Sequence, residues 1–121
     1  MRYVVTVALI IVGVIHLLPL PGVLGPRRLE ALYGVPMADR NLEILMRHRA
    51  VLFGILGAFF LFAAFRPELQ VAAQAVGFVS VVSFLGLARS VGGYSWQVGR
   101  VYAADVVALL SLVVGALARL A

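Results

Sequence analysis

Long apolar runs separated by short polar stretches make up most of this 121-residue chain. Four runs stand out, and each approaches the roughly 20 residues that cross a bilayer as a helix. They predict spans at about residues 3–20, 41–65, 69–88 and 101–118. A helix satisfies its own backbone hydrogen bonds in lipid, which a lone strand does not. The pattern therefore predicts an all-α integral membrane protein, with residues 1–121 forming a single antiparallel four-helix bundle.

The longest connection lies between the first two runs and contains a short amphipathic segment. Pro26–Tyr33 begins with a proline suited to a first helical turn, and Gly34 suits its C-terminal cap. Its apolar side chains share one face, so we expect a short interfacial helix in this first loop, with its arginines outward. Asp39 or Asn41 is expected to cap the second span.

Composition narrows the chemistry that the chain can perform. It is 64% hydrophobic and 12% charged, whereas soluble domains carry about 25% charged residues. With no cysteine, disulfides and thiolate catalysis are excluded, and with no lysine, Schiff-base chemistry is excluded. The net charge of +5 comes from arginine alone and suits anionic lipid headgroups better than nucleic acid.

Sidedness and processing follow from the flanking residues. The first run lacks a small-residue cleavage site, so we expect it to be retained as a helix. Counting arginines places loops 1 and 3 in the cytoplasm, opposite the side marked by Arg2, Arg66 and Arg119. The count becomes even when four arginines that could serve a site are set aside, which leaves the orientation open. Those four are Arg47, Arg49, Arg89 and Arg100.

The polar residues inside the runs concentrate at one end. With a rise of about 1.5 Å per residue, His16 and Asp105 lie about 21 Å from the side of the termini, inside a core about 30 Å thick. Further along the same axis follow Arg47, His48, Arg100, Glu43 and Arg89. An ionisable group in a span costs about 2.5–3.5 kcal/mol, so this cluster predicts a partner or a function.

Small residues predict which face of the second span is inward. Ala50 and Gly57 follow helical spacing with Glu43 and Arg47. Since small residues let helices approach closely, we expect this stripe to face the bundle, with Glu43 and Arg47 as an i,i+4 pair on it. Arg49 points away from the stripe and is expected to reach lipid headgroups.

These positions predict a site. Asp105 and His16 are the candidate catalytic pair, because a buried carboxylate beside an imidazole is suited to acid–base chemistry. Arg47 and Arg100 are expected to hold a polar or anionic headgroup. The other candidate ligand-binding residues are Glu43, His48, Arg89 and Tyr102. No metal site is predicted, and the sequence names no cofactor.

Structural roles compete with these assignments. Arg47, Arg89 and Arg100 can be boundary residues that reach phosphates, and Glu43–Arg47 can be a pair that only fixes helix register. Gln74 is expected to bridge helices. An Asp105 that merely balances an arginine would also be structural.

Three segments carry a resemblance to a known family. They are Leu32–Val35, Leu45–Gly54 and Arg100–Asp105. Together they resemble a family of small, uncharacterised bacterial four-span proteins, DoxX-like in the broad sense. The resemblance implies a location in the bacterial cytoplasmic (inner) membrane. The layout is also similar to sterol-binding and sterol-isomerase membrane proteins, in which inward acids line a lipid cavity.

Several functions remain open from the sequence. The first is a binding cavity for a small amphiphile such as a quinone, isoprenoid or sterol-like lipid, with or without acid–base catalysis. The alternative is a non-catalytic accessory or structural subunit, as a homo-oligomer or within a membrane complex. A b-haem held by His16 and His48 is a third possibility, and a proton or ion pathway is a fourth. The expected partner is a membrane lipid or other small amphiphile, and not nucleic acid.

Overall fold

Five α-helices build the part of the chain that the structure describes. The computed structural model describes residues 2–120, apart from the Arg2 side chain, whose predicted place at the membrane boundary lies outside this part. No strand occurs in residues 2–120. The helices are α1 (Arg2–Leu17), α2 (Pro26–Tyr33), α3 (Arg40–Ala64), α4 (Gln70–Val91) and α5 (Trp96–Leu120). Short 3-10 turns cover Leu20–Leu24 and Pro67–Leu69.

Within residues 2–120, four segments have the length and apolar composition needed to cross a membrane. They are Tyr3–Leu24, Arg40–Ala64, Pro67–Val91 and Trp96–Leu120. The prediction of an all-α chain with four candidate membrane-spanning helices is confirmed at this level. The predicted starts and ends are close to those observed, with the largest difference at the start of α5.

The helix boundaries have local causes. Oδ1 of Asp39 accepts hydrogen bonds from the backbone N–H groups of Asn41 and Leu42, so Asp39 is the residue that caps α3. α2 ends at Gly34, whose φ of 66° is the left-handed conformation that glycine adopts without strain. The backbone N–H of Gly34 donates to the Glu30 carbonyl at 2.8 Å.

The connection between α4 and α5 is shorter than predicted. The sequence suggested a loop over residues 89–100, but α4 continues to Val91 and α5 begins at Trp96. Gly92 and Gly93, both with positive φ, make the turn. Ser95 then caps α5, because its hydroxyl accepts from the Val98 N–H at 3.2 Å.

α1 lies at the centre of the packing, against both α3 and α5, while α4 packs mainly on α5. α1 and α3 cross at Gly13 and Gly57, where a Cβ on Gly57 would sit 2.9 Å from the Gly13 carbonyl oxygen. α3 and α4 pack far less extensively against each other, although one short turn joins them. Fully buried side chains fill the contact region, including Leu9, Val12, Phe60, Ala63, Ala73 and Leu112.

A second, smaller core lies beneath α2. Leu29, Tyr33 and Met37 are buried there against side chains of α3 and α5. The arginines of α2, Arg27 and Arg28, are exposed on its other face. α2 is therefore held on the bundle by its apolar face, at the end where α1 stops.

Candidate functional site

A cavity lies where α1 ends, and all five helices contribute to its wall. Its volume is about 340 Å³. α1 has 16 residues while α3 and α5 have 25 each, so at this end the bundle lacks a fourth long helix. α2 occupies part of that gap. The residues around the cavity are Ile15, His16, Leu18, Pro19, Leu32, Tyr33, Arg49, Phe53, Phe84, Gln97, Arg100, Val101, Ala104 and Asp105.

Asp105 is the acidic residue of this wall. It lies on α5 and is only 8% exposed. Among residues 2–120, no side chain or backbone group makes a hydrogen bond or an ion pair with its carboxylate. The cation that acts on it electrostatically is Arg49. A carboxylate that makes no hydrogen bond in a largely apolar wall is costly, which makes Asp105 an indication of a ligand.

Arg49 lies in the cavity wall, so the prediction that it points away toward lipid headgroups is wrong. Its guanidinium donates to the Tyr33 hydroxyl and lies 4.4 Å from the centre of the Phe53 ring. Stacking on aromatic rings suits the planar guanidinium and keeps it beside the cavity. The expectation failed because it treated the small-residue stripe as the whole inner face of α3.

Tyr33 fixes this part of the wall. It is buried at the end of α2, and its hydroxyl accepts from Arg49 of α3. Its backbone carbonyl accepts from the Ser95 hydroxyl at 2.7 Å, just before α5. One residue thus connects α2, α3 and the start of α5, which holds α2 over the cavity.

Arg100 also lines the cavity, as predicted, but from an exposed position. Its guanidinium lies 4.4 Å from the centre of the Trp96 ring. Gln97, one turn before Arg100, lines the cavity as well. The rim therefore carries hydrogen-bond donors from two helices, and Asp105 lies further along α5.

His16 is buried in the last turn of α1, at 2% exposure. Its Nδ1 lies 2.9 Å from the Val12 carbonyl oxygen, which can only accept, so Nδ1 carries a proton. Its Nε2 lies 2.7 Å from the Ser80 hydroxyl of α4. The ring also packs edge-on against Phe60. Both ring nitrogens are thus engaged within the protein.

Arg47 and Glu43 are not part of the cavity wall. Their side chains form an ion pair at 3.1 Å, with 45% of the Arg47 side chain exposed. Arg47 Nε donates to the Val23 carbonyl at 2.9 Å. The predicted i,i+4 pair is confirmed, but it fastens α3 to the turn that follows α1. The expectation that Arg47 faces the same cavity as Asp105 is wrong.

The three other candidates lie elsewhere. His48 is exposed and does not line the cavity that contains His16, so the structure does not bring the two imidazoles together. Arg89 is exposed near the end of α4. Tyr102 stacks on Tyr94 with ring centres 5.9 Å apart, and both line a separate hollow with Arg89. In residues 2–120, no group of three or more histidine or acidic residues is arranged to hold a metal ion.

Sequence reasoning missed three polar members of the wall, namely Arg49, Tyr33 and Gln97. The missed signal was the order of residues along α3. Arg49 and Phe53 are one helical turn apart, so a cation placed above an aromatic ring could have been anticipated. The contribution of Tyr33 depends on how α2 folds back, which no local pattern contains.

Comparison with known proteins adds no further assignment. No protein-family model, no curated protein and no solved structure matches this chain.

Proposed function

We propose that the protein binds the polar headgroup of a small amphiphile in the cavity that ends at Asp105. The observation that carries this proposal is the unpartnered Asp105 carboxylate, buried in a wall that is otherwise largely apolar. A site with a mostly hydrophobic lining and a few convergent polar groups is typical of small-molecule binding.

The polar groups of the cavity wall have different roles in binding. Arg49 and Arg100 donate hydrogen bonds from the rim, and the Asp105 carboxylate accepts one from within. Arg49 takes the headgroup-binding role predicted for Arg47. Phe53, Phe84 and Val101 surround the apolar part of the bound group. Quinols (the reduced form of quinones), isoprenoid alcohols and sterol-like lipids combine these properties in one small molecule.

Binding is favoured over acid–base catalysis. A catalytic His16 needs a free ring nitrogen toward the ligand, whereas Val12 and Ser80 engage both nitrogens. In this proposal His16 holds α1 against α4 and shapes the cavity. Asp105 contacts the ligand directly.

The membrane arrangement is part of the same proposal. The four long helices cross the membrane as an antiparallel bundle, with α2 at the interface above the cavity and its exposed arginines toward headgroups. The family resemblance favours a bacterial inner membrane. The arginine count favours loops 1 and 3 in the cytoplasm.

Native mass spectrometry after gentle detergent extraction tests the binding proposal. The wild-type protein is expected to retain a small amphiphile that Asp105→Asn loses. Arg47→Gln is the matched control, because it removes a charge from the same end of the bundle without touching the cavity. Equal retention by all three proteins would contradict the proposal and favour a structural subunit.

A further inference from the structure

A second cavity begins where the first one ends. It is a groove of about 610 Å³ between α3 and α4. Arg49, Phe53 and Phe84 line both cavities. Because three side chains belong to both walls, the groove lies directly beside the site of the headgroup. Its further lining residues are Leu56, Ala75, Val76, Val79, Ser80, Ser83 and Leu87.

The size of the first cavity limits what it can hold. Ligand pockets that enclose a whole small molecule measure about 300–1,000 Å³. At about 340 Å³, the cavity beside Asp105 lies at the lower end of this range, so it can hold a headgroup but not also a long apolar chain. A long apolar chain on that headgroup must therefore extend elsewhere. α2 and Tyr33 cover the cavity on one side, whereas α3 and α4 are loosely packed.

The groove is suited to such a chain. Its wall is apolar and faces outward, with Val79 71% exposed and Leu87 64% exposed. Its two serines do not make it polar. The Ser80 hydroxyl bonds His16, and the Ser83 hydroxyl donates to the Ser80 carbonyl at 3.0 Å. Arg49, at the junction with the first cavity, is its charged residue.

We infer that the ligand is a lipid with a hydroxyl headgroup and a single flexible apolar chain, and that the chain leaves the protein laterally between α3 and α4. This inference rests on the proposed function and adds the class of ligand and the path of its tail. A hydroxyl is the smallest group that both donates to a carboxylate and accepts from a guanidinium. In this one cavity, the Asp105 carboxylate requires a hydrogen-bond donor and the Arg49 guanidinium requires an acceptor.

The molecule contains a matched groove for comparison. A cavity of about 460 Å³ lies between α1 and α5, lined by outward apolar residues such as Val7 and Leu110. It shares no lining residue with the Asp105 cavity. Ser111 there resembles Ser83, because its hydroxyl donates to a carbonyl of its own helix at 2.9 Å. A lipid that binds nonspecifically to the protein surface should occupy both grooves to the same extent.

Photolabelling tests the inference. The probe is hexadecanol with a diazirine near the end of its chain, added to detergent-purified protein, and labelled peptides are located by mass spectrometry. The label is expected on groove residues of α3 and α4 and to fall when unlabelled hexadecanol competes. Hexadecyl methyl ether with the same diazirine is the control probe. Its neutral head donates no hydrogen bond, so it should label the groove peptides much less than the hexadecanol probe does.

Two serine variants give the matched comparison. Ser83→Phe fills the α3–α4 groove and should remove most of the label from its peptides. Ser111→Phe fills the α1–α5 groove and should leave that label unchanged. The melting temperature of each variant shows that the protein is folded.

The outcomes separate the two proposals. Label that is lost in Asp105→Asn but lies on α1 and α5, or that persists in Ser83→Phe, overturns the lateral path while the Asp105 cavity stands. Equal labelling of both grooves also overturns it. If Asp105→Asn and wild type are labelled alike, the proposed function fails, and the inference fails with it.

Discussion

The two ends of the bundle are built differently. At one end lies a packed region of small and apolar side chains, which includes Leu9, Phe60, Ala63 and Leu112, each buried completely. At the other end lies the cavity region around Asp105, with guanidinium groups and aromatic rings. The same helices α1, α3, α4 and α5 form both regions.

The difference shows what opens a cavity in such a bundle. In the packed region, glycine and alanine let the backbones approach, as at Gly13 and Gly57. In the cavity region, α1 stops at Leu17 and the shorter α2 takes its place. Prolines that follow α1 prevent its continuation. Helix length, and not charge repulsion, creates the space that Asp105 faces.

The largest expected effect concerns the packed region. Gly57→Leu should destabilise the protein by about 3 kcal/mol, because its side chain would meet the Gly13 backbone and Leu17. The control is Gly86→Leu, since a Cβ at Gly86 meets nothing within 4 Å. Thermal unfolding in detergent gives the comparison. If both variants melt alike, the close helix crossing is not what stabilises this end.

A smaller effect separates two arginines that lie two residues apart. Arg49→Gln should weaken retention of the bound amphiphile by about tenfold or more, as expected when a charged hydrogen-bond donor is lost. Arg47→Gln should leave retention unchanged and cost about 1 kcal/mol of stability, because it loses its bonds to Val23 and Glu43. Native mass spectrometry and thermal unfolding measure the two quantities. If Arg47→Gln loses the bound amphiphile and Arg49→Gln retains it, then Arg47 and not Arg49 belongs to the binding site.

These arginines also show which features of the structure could be predicted from the sequence and which could not. The four long apolar helices, the α2 helix and the Asp39 cap follow from local patterns, and the structure agrees with them. The directions in which Arg47 and Arg49 face cannot be predicted from local patterns. They differ by about 200° around α3, and which one meets a cavity depends on where α1 ends.

The position of α4 in the bundle could not be predicted from local sequence patterns either. A tight turn predicts that α3 and α4 are neighbours, but the close contacts form between α1 and both α3 and α5. The crossing at Gly13 and Gly57 brings α1 close to α3. Predicting it requires two residues that are distant in the sequence to be matched. The groove between α3 and α4 is a consequence that no single segment encodes.

The smallest expected effect concerns a buried amide. Gln74 is 6% exposed, and its Nε2 has no hydrogen-bond partner within residues 2–120. The prediction that it bridges helices is therefore not supported for this atom. Gln74→Leu, which removes the unpaired donor at similar volume, should leave stability unchanged or raise it by about 1 kcal/mol. A large loss in thermal unfolding would show that Gln74 has a partner, such as a bound water.

The central claim is that the Asp105 carboxylate is kept for a ligand and does not balance an arginine of the protein. A double-mutant cycle tests it through the thermal unfolding of Asp105→Asn, Arg49→Gln and the double variant, together with ligand retention. We expect the stability of ligand-free Asp105→Asn to lie within about 1 kcal/mol of wild type, the stability changes of the two substitutions to add, and ligand retention to be lost. A loss of about 3–5 kcal/mol in Asp105→Asn, restored by Arg49→Gln, would make the pair structural and contradict the account.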